Sequence, residues 1–432
     1  MLSRLSSNFP RTRLAAMLAA STLFGVLSLA PSGAALGDEP ERNGGAVKFL
    51  TTVPVPGLTV FDISWIDPHT QLYYLADRSN KTIDVIDAKR NVLVKQISGN
   101  FKGFTGNNDT SGPDGVVTSG HWLFVTDAPS RVVSIDLRTD LIVSEVNTGG
   151  DVDPNTGLGF RTDELAFDPE GGVILAANNA DDPPFATLIN VDTNTGKLTL
   201  GKRITFKNFG PGADTATNGA EQPVWDRGTG RFYISIPEVN GVKANGAVAV
   251  IDPKTATVEA TFLVKFCQPA GLTLGPNQDL LIGCSVVFDT AGVPCSAATA
   301  TTALNCHGNS ANAKQVIMDA KNGTIDRDVF GVGGSDEVWF NRGDGRYYTA
   351  SRADPHGPVL GVIDAERQVL EQIVPTFNTP LTAPAPRGTA HSVAVNPHNN
   401  HVFVPLPGGN AFPNCLTGCV AVFGKARRDD DD

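Results

Sequence analysis

The chain is poor in the residues that metal and redox chemistry usually draws on. Of its 432 residues only seven are His and six are Cys. Seven scattered histidines do not make a copper-binding ring. Haem attachment needs Cys-x-x-Cys-His, and Asn305-Cys306-His307 lacks the first Cys. There is no Walker loop and no Gly-x-Ser-x-Gly elbow, and Gly331-Val332-Gly333-Gly334 has no strand-to-helix setting for a dinucleotide. After residue 37 no run is apolar for the roughly 18 residues that a membrane span needs. Positive charge is short as well: 34 Lys and Arg face 45 Asp and Glu, and the resulting −11 disfavours nucleic acid and anionic membranes as partners.

What the chain does have is strand rhythm. In residues 82–97 apolar side chains alternate on either side of Asp87-Ala88-Lys89-Arg90-Asn91. Period-two alternation with β-branched residues around such a turn reads as a β-hairpin. The Asp that opens the turn, preceded by an apolar residue, recurs at Asp87, Asp136, Asp192, Asp252, Asp319 and Asp364. The intervals of 49, 56, 60, 67 and 45 residues define a unit built only from strands. Such a unit cannot bury both its faces alone, so a period of about 50 predicts a β-propeller.

A seventh copy starts at His391 and runs out of chain after Gly424, one strand short. Residues 46–55 have strand composition and no partner of their own. Pairing them with the seventh unit would remove two open sheet edges. The expectation is therefore an all-β, seven-bladed β-propeller over residues 38–424, closed by its amino-terminal strand, with residues 425–432 as a charged, solvated tail.

Residues 1–37 differ in kind. Arg4, Arg11 and Arg13 precede an apolar run from Leu14 to Ala30 and then Pro-Ser-Gly-Ala-Ala, the pattern of a secretory signal peptide cleaved between Ala34 and Asp38. A mitochondrial transit peptide fits less well, because the apolar run is continuous rather than amphipathic. Removing these three arginines and no acid takes the formal net charge from −11 to −14. In an exported chain, periplasmic or secreted, six cysteines read as disulfides, and the sequence neighbours pair naturally: Cys267 with Cys284, Cys295 with Cys306, Cys415 with Cys419. Zinc is disfavoured in an oxidising compartment.

Residues 73–99, with Tyr73-Tyr74-Leu75-Ala76-Asp77 and then Ile83-Asp84-Val85-Ile86-Asp87, resemble the repeat of YVTN-type β-propellers. Residues 123–149, with Phe124-Val125-Thr126-Asp127 and Val133-Ser134-Ile135-Asp136, are similar, as are residues 359–373. The resemblance implies a propeller of varied, exported binding proteins and names no ligand.

The insertions concentrate on one side of the predicted disc. Long connections span residues 101–113, 149–162, 207–220 and 375–389 between units, and 178–186, 237–246, 284–314 and 405–419 within them. Both classes belong to the face where inner strands begin, and long loops on a rigid scaffold are where binding resides. Aligning the units places Asp62, Asp114, Asp163, Glu221, Ala270, Asp336 and His391 in one column at that mouth, with Glu164, Gln222 and Glu337 in the next. Gathered carboxylates repel, so they must be protonated, separated by water or neutralised by a cation. Arg78 and Arg352 follow second strands and could meet anions there, or simply lie on the surface. Trp65, Trp225, Trp339 and Phe340 occupy inner-strand positions and read as packing rather than as a sugar platform.

Three readings follow. In one, the column caps backbone amides at strand starts. In another, the loop-rich face and acidic channel recognise a small molecule, a glycan or a protein, and the chain acts as a monomer. In the third, no cofactor being certain, a calcium ion is held by oxygen ligands. By analogy with gluconolactonase-like propellers its ligands would be Asp163, Asn178 and Glu221, and it would polarise a lactone or ester carbonyl.

Overall fold

The computed structural model describes residues 45–295, 300–302, 305–306, 313–378 and 391–425, with 300–302 and 305–306 as backbone alone. The leader, the terminal acidic residues and the side chain of Cys306 lie outside the described residues, as does most of the connection at 379–390. Among the described residues the helical content is two 3-10 turns, Asn108–Thr110 and Pro276–Gln278, and no helix is long and apolar enough to cross a membrane.

The first unit sets the pattern. Ser64–Asp67, Leu72–Asp77, Thr82–Asp87 and Val92–Ser98 form an antiparallel four-stranded sheet in sequence order. Third strands are buried almost throughout, whereas fourth strands alternate: Ile83, Val85 and Ile86 are fully buried, but Val92 and Val94 are over two-fifths exposed. A strand sandwiched between two sheets needs apolar residues on both faces, and an outer edge needs them on one.

The recurring Asp is the last residue of the third strand in each of six units. Its carboxylate accepts backbone N–H groups two or three residues on, as from Lys89 and Arg90 to Asp87, Arg138 to Asp136 and Arg367 to Asp364. Four residues after the Asp the backbone always turns left-handed, with φ between 54° and 74° at Asn91, Asp140, Gly196, Ala256, Gly323 and Gln368. Four of these are not glycine, and a left-handed residue costs about 1 kcal/mol, so the Asp cap is what holds the turn. In each of these six units the register between third and fourth strands also slips once, which twists the outer strand.

Seven inner strands, Ser64–Asp67, Val116–Ser119, Leu165–Asp168, Pro223–Asp226, Cys267–Leu274, Val338–Asn341 and Ala394–Asn396, touch one another in that succession, and the last touches the first. Five of the units they open are separate four-stranded sheets. The fourth and fifth units merge into one nine-stranded sheet through a single parallel bridge, Asn245 to Cys267, and the added strand Pro294–Cys295. At Gly271 neighbouring inner strands pass so closely that a Cβ would sit 2.2 Å from the Asp336 carbonyl oxygen, which requires glycine. The amino-terminal strand expected from residues 46–55 is Val47–Pro54, and it pairs antiparallel with Cys419–Lys425 as the outer strand of the last unit.

Apolar clusters fill the spaces between sheets. Tyr74, Ile83 and Val85 of the first meet Val116, Leu123 and Val133 of the second, and Phe124 lies 5.2 Å from Phe167 of the third. All five tyrosines are buried. Two expected disulfides are present, Cys267–Cys284 and Cys415–Cys419.

Candidate functional site

Five of the seven column residues, Asp62, Asp114, Asp163, Glu221 and Asp336, stand just before an inner strand and are fixed there by the same pair of backbone hydrogen bonds, whereas Ala270 falls within the strand Cys267–Leu274. The amide of Asp62 donates to the Ala76 carbonyl, Asp114 to Thr126, Asp163 to Ala177, Glu221 to Ser235 and Asp336 to Ala350. The second-strand residue donates back to the position after the column, as Ala177 does to Glu164 and Ala350 to Glu337. Ile63, Gly115 and Glu337 then donate to the carbonyls of Asp114, Asp163 and His391 in the next unit. The sequence alignment is thus a true structural register, and it brings Asp62, Asp114, Asp163, Asp336 and His391 into one connected cluster.

Three guanidinium groups supply the countercharge. Arg78, at 1% exposure, is wedged between Asp62 and Asp114 and bonds to both, so its reading as a surface residue is overturned. Arg161 was not a candidate from sequence. It reaches Asp163 at 2.8 Å, Asp62 at 3.4 Å and Asp114 at 3.6 Å. It lies in the long connection before the third inner strand, where no periodicity marks it. Its only signal is a basic residue two places before a column acid. Arg352 is exposed and pairs with Asp336 at 2.7 Å. His391 bridges the cluster, Nε2 to Asp62 at 2.7 Å and Nδ1 to Asp336 at 2.9 Å.

The ionisation states follow from burial set against partners, and burial prevails even at Asp114, which is driven well above its ordinary value despite Arg78 and Arg161. Burial alone would raise Asp62 and Asp336, but Arg78 on the first and Arg352 on the second, with His391 on both, hold them below the usual carboxylate range. Burial and Arg352, whose Nη1 lies 2.6 Å from Nδ1, would lower His391, yet Asp336 and Asp62 outweigh them and raise it to about 9, which favours the imidazolium at neutral pH. Burial wins at Asp163, raised to about 7 despite Arg161. It also wins at Glu221 and Glu337, both raised to about 8, and it drives Glu164 well above its ordinary value.

The carboxylate oxygens of Asp62, Asp114 and Asp163 lie within 4.8 Å of one another, close enough for a cation. Arg78 and Arg161 sit on those same carboxylates, so calcium would compete with two fixed guanidinium groups. Nor does Asn178 turn toward Asp163: its Oδ1 accepts from the Thr148 hydroxyl at 2.8 Å, and its Nδ2 lies within 3.3 Å of the Arg161 carbonyl and of Asp181. The set Asp163, Asn178 and Glu221 therefore does not fit a shared metal.

Above the cluster, on the loop-bearing face, is a cavity of about 770 Å³ whose wall includes Phe61, Arg78, Phe104, Asn107, Arg352 and His391. A second cavity lies along the inner strands on the other side of the carboxylate layer. Trp65, Trp225, Trp339 and Phe340 pack against the inter-sheet clusters, as expected, and each also lines this cavity half-buried.

No protein-family model matches the chain, and no curated protein does. Among solved structures it is similar to Kuenenia stuttgartiensis hydrazine synthase, with 14% identity, a TM-score of 0.58 and coverage of 88% of this chain and 98% of that one. It is also similar to the β-propeller domain of Myceliophteria thermophila Cps50 (Swd1), with 10% identity, a TM-score of 0.53 and coverage of 87% and 99%. The fold is a β-propeller. At these identities the likeness extends to the fold and not to the YVTN repeat or to any activity.

Proposed function

We propose that this is an exported, seven-bladed β-propeller, closed by its amino-terminal strand, that recognises a carboxylate-bearing small molecule or glycan on its loop-bearing face. The cyclic succession of inner-strand contacts and the pairing of Val47–Pro54 with Cys419–Lys425 support the blade count and closure. The leader pattern and the disulfides support export. The observation that carries the ligand class is the 770 Å³ cavity with Arg78, Arg352 and the His391 imidazolium in its wall, against Asp109 as its one acidic lining residue. Arg352 is the accessible member and presents the planar fork that suits a carboxylate.

Thermal-shift titration with glucuronate against glucose, and benzoate against benzyl alcohol, tests this reading. A carboxylate partner stabilises the wild type, its neutral counterpart does not, and Arg352→Ala abolishes the shift. Equal responses within each pair, or none at millimolar concentration, overturn it.

The close approach of Asp62, Asp114 and Asp163 favours one alternative, a calcium-dependent lactonase or esterase. Calcium-dependent turnover in a lactone and ester screen, lost in Asp163→Ala, would establish it in place of the binder.

A further inference from the structure

The second cavity opposes the first in both chemistry and position. Its volume is 390 Å³, and its wall takes residues from all seven inner strands, reaching the tight-turn side at Pro68, Arg342 and Pro397. That volume is in the range of about 300 to 1,000 Å³ typical of small-molecule sites. Its only charged lining residues are Glu164, Glu337 and Arg342, and the arginine is exposed at the rim. Three of the chain's four tryptophans line it: Trp65, Trp225 and Trp339. Trp65 and Trp339 pack edge to face with centroids 5.3 Å apart, and the Trp65 indole is fixed by donating to the Thr118 hydroxyl at 2.9 Å.

The glutamates are buried yet incompletely used. Glu337 is 2% exposed; its Oε2 accepts from the Ser392 hydroxyl and the Val393 amide, but Oε1 has no hydrogen-bond partner. Glu164 is 8% exposed and its Oε2 has none either. The guanidinium groups of the upper cluster pair with the aspartates instead, so among the described residues neither carboxyl has an ion-pair partner, and only the more distant His391 offsets burial at Glu337. Buried oxygens without partners are costly, and a site that keeps them beside an apolar cavity is short of a positively charged or donating guest.

We propose that this cavity binds an organic ammonium ion with apolar substituents, held by the indoles of Trp65, Trp225 and Trp339 and by the carboxyl groups of Glu164 and Glu337. The indoles provide quadrupoles for the cation and apolar contact for its substituents, and the carboxyl groups, neutral in the cavity without a cation, ionise beside it and lose their protons to solvent. A plain apolar guest would leave both glutamate oxygens as they are. An anion would meet two carboxyl groups inside and only one rim arginine.

The test compares phenyltrimethylammonium with its neutral isostere tert-butylbenzene, using quenching of tryptophan emission on the full chain. The ammonium ion is expected to bind at least about tenfold more tightly, the scale of a desolvated cation–π contact. Glu164→Gln and Glu337→Gln are expected to narrow that gap while thermal denaturation confirms that each variant is folded. Equal affinity for the two probes would make the cavity merely apolar and overturn the proposal, as would no binding of the ammonium ion at millimolar concentration. The wild-type comparison decides the matter even if a variant fails to fold.

Discussion

Asp336 and Glu337 are neighbours in sequence and opposites in charge. Asp336 is held below the usual carboxylate range, whereas Glu337 is raised to about 8. Both are buried enough for desolvation to be the largest influence. The difference lies in what each side chain meets: Asp336 faces Arg352 and His391, while Glu337 has a hydroxyl and one backbone amide. Successive residues on extended backbone point to opposite sides, so one step along the chain crosses from a layer of ion pairs to an aromatic cavity. Asp163 and Glu164 repeat the contrast more weakly, with Arg161 only partly offsetting burial at Asp163. The lesson is that a column of like acids acquires two behaviours: the two that meet both an arginine and His391 stay low, and burial prevails at the others, Asp114 and Asp163 included.

The comparison breaks most severely at Arg78. Arg78→Met should leave the ionised Asp62 buried without its main partner and Asp114 without the guanidinium that bonds to it, and cost about 3 to 5 kcal/mol, read from urea denaturation. A loss below about 1 kcal/mol would mean that the ion-pair layer is not what keeps these carboxylates buried.

The pH dependence of stability sharpens the same contrast. His391 is raised from 6.5 to about 9 in the folded chain, so its contribution is complete below pH 6.5 and lost as pH rises through 9. Glu221 and Glu337, raised from 4.5 to about 8, act in the same sense, their contribution being lost as pH climbs from 4.5 to 8. Asp62 and Asp336 act oppositely, below the usual carboxylate range. Stability should therefore peak in mildly acidic solution and decline toward pH 9. His391→Gln should remove about 3 kcal/mol of that decline between pH 6.5 and 9. Denaturation midpoints that stay flat across this range in the wild type would contradict the assignment.

Much of this architecture is legible in the sequence because it is periodic. The repeated Asp marks a turn whose fourth residue must be left-handed, and that geometry alone spaces the units. The acid column is legible because backbone pairing fixes Asp62, Asp114, Asp163, Glu221 and Asp336 two residues before the start of their inner strands. The missing last strand points to residues 46–55 because an open edge must find a partner. What periodicity does not carry is the identity of the countercharges. Arg161 arrives on a connection of irregular length, and Arg78 could be assigned either to the surface or to the interior until the neighbouring unit was placed beside it. The tryptophans are half legible for a related reason: their packing against the cores is as expected, but inner strands also border the cavity, and strand rhythm does not separate the two.

The smallest expected effect is also the most discriminating. Glu337→Gln keeps an oxygen for the Ser392 hydroxyl and the Val393 amide and removes only the capacity to ionise. If Glu337 is protonated in the folded state at neutral pH, as burial without a cation requires, the substitution replaces one neutral group by another of the same shape. Its cost at pH 6 should stay within about 1 kcal/mol, the scale of a single rearranged hydrogen bond. At pH 9 the wild type must ionise a buried carboxyl that the variant lacks, so the variant should become the more stable of the two. Asp336→Asn, one residue earlier, should show no such crossover, because there the charge is paired and its removal leaves Arg352 and His391 without their shared carboxylate. Finding the crossover at Asp336 and not at Glu337 would reverse the assignment of the two layers.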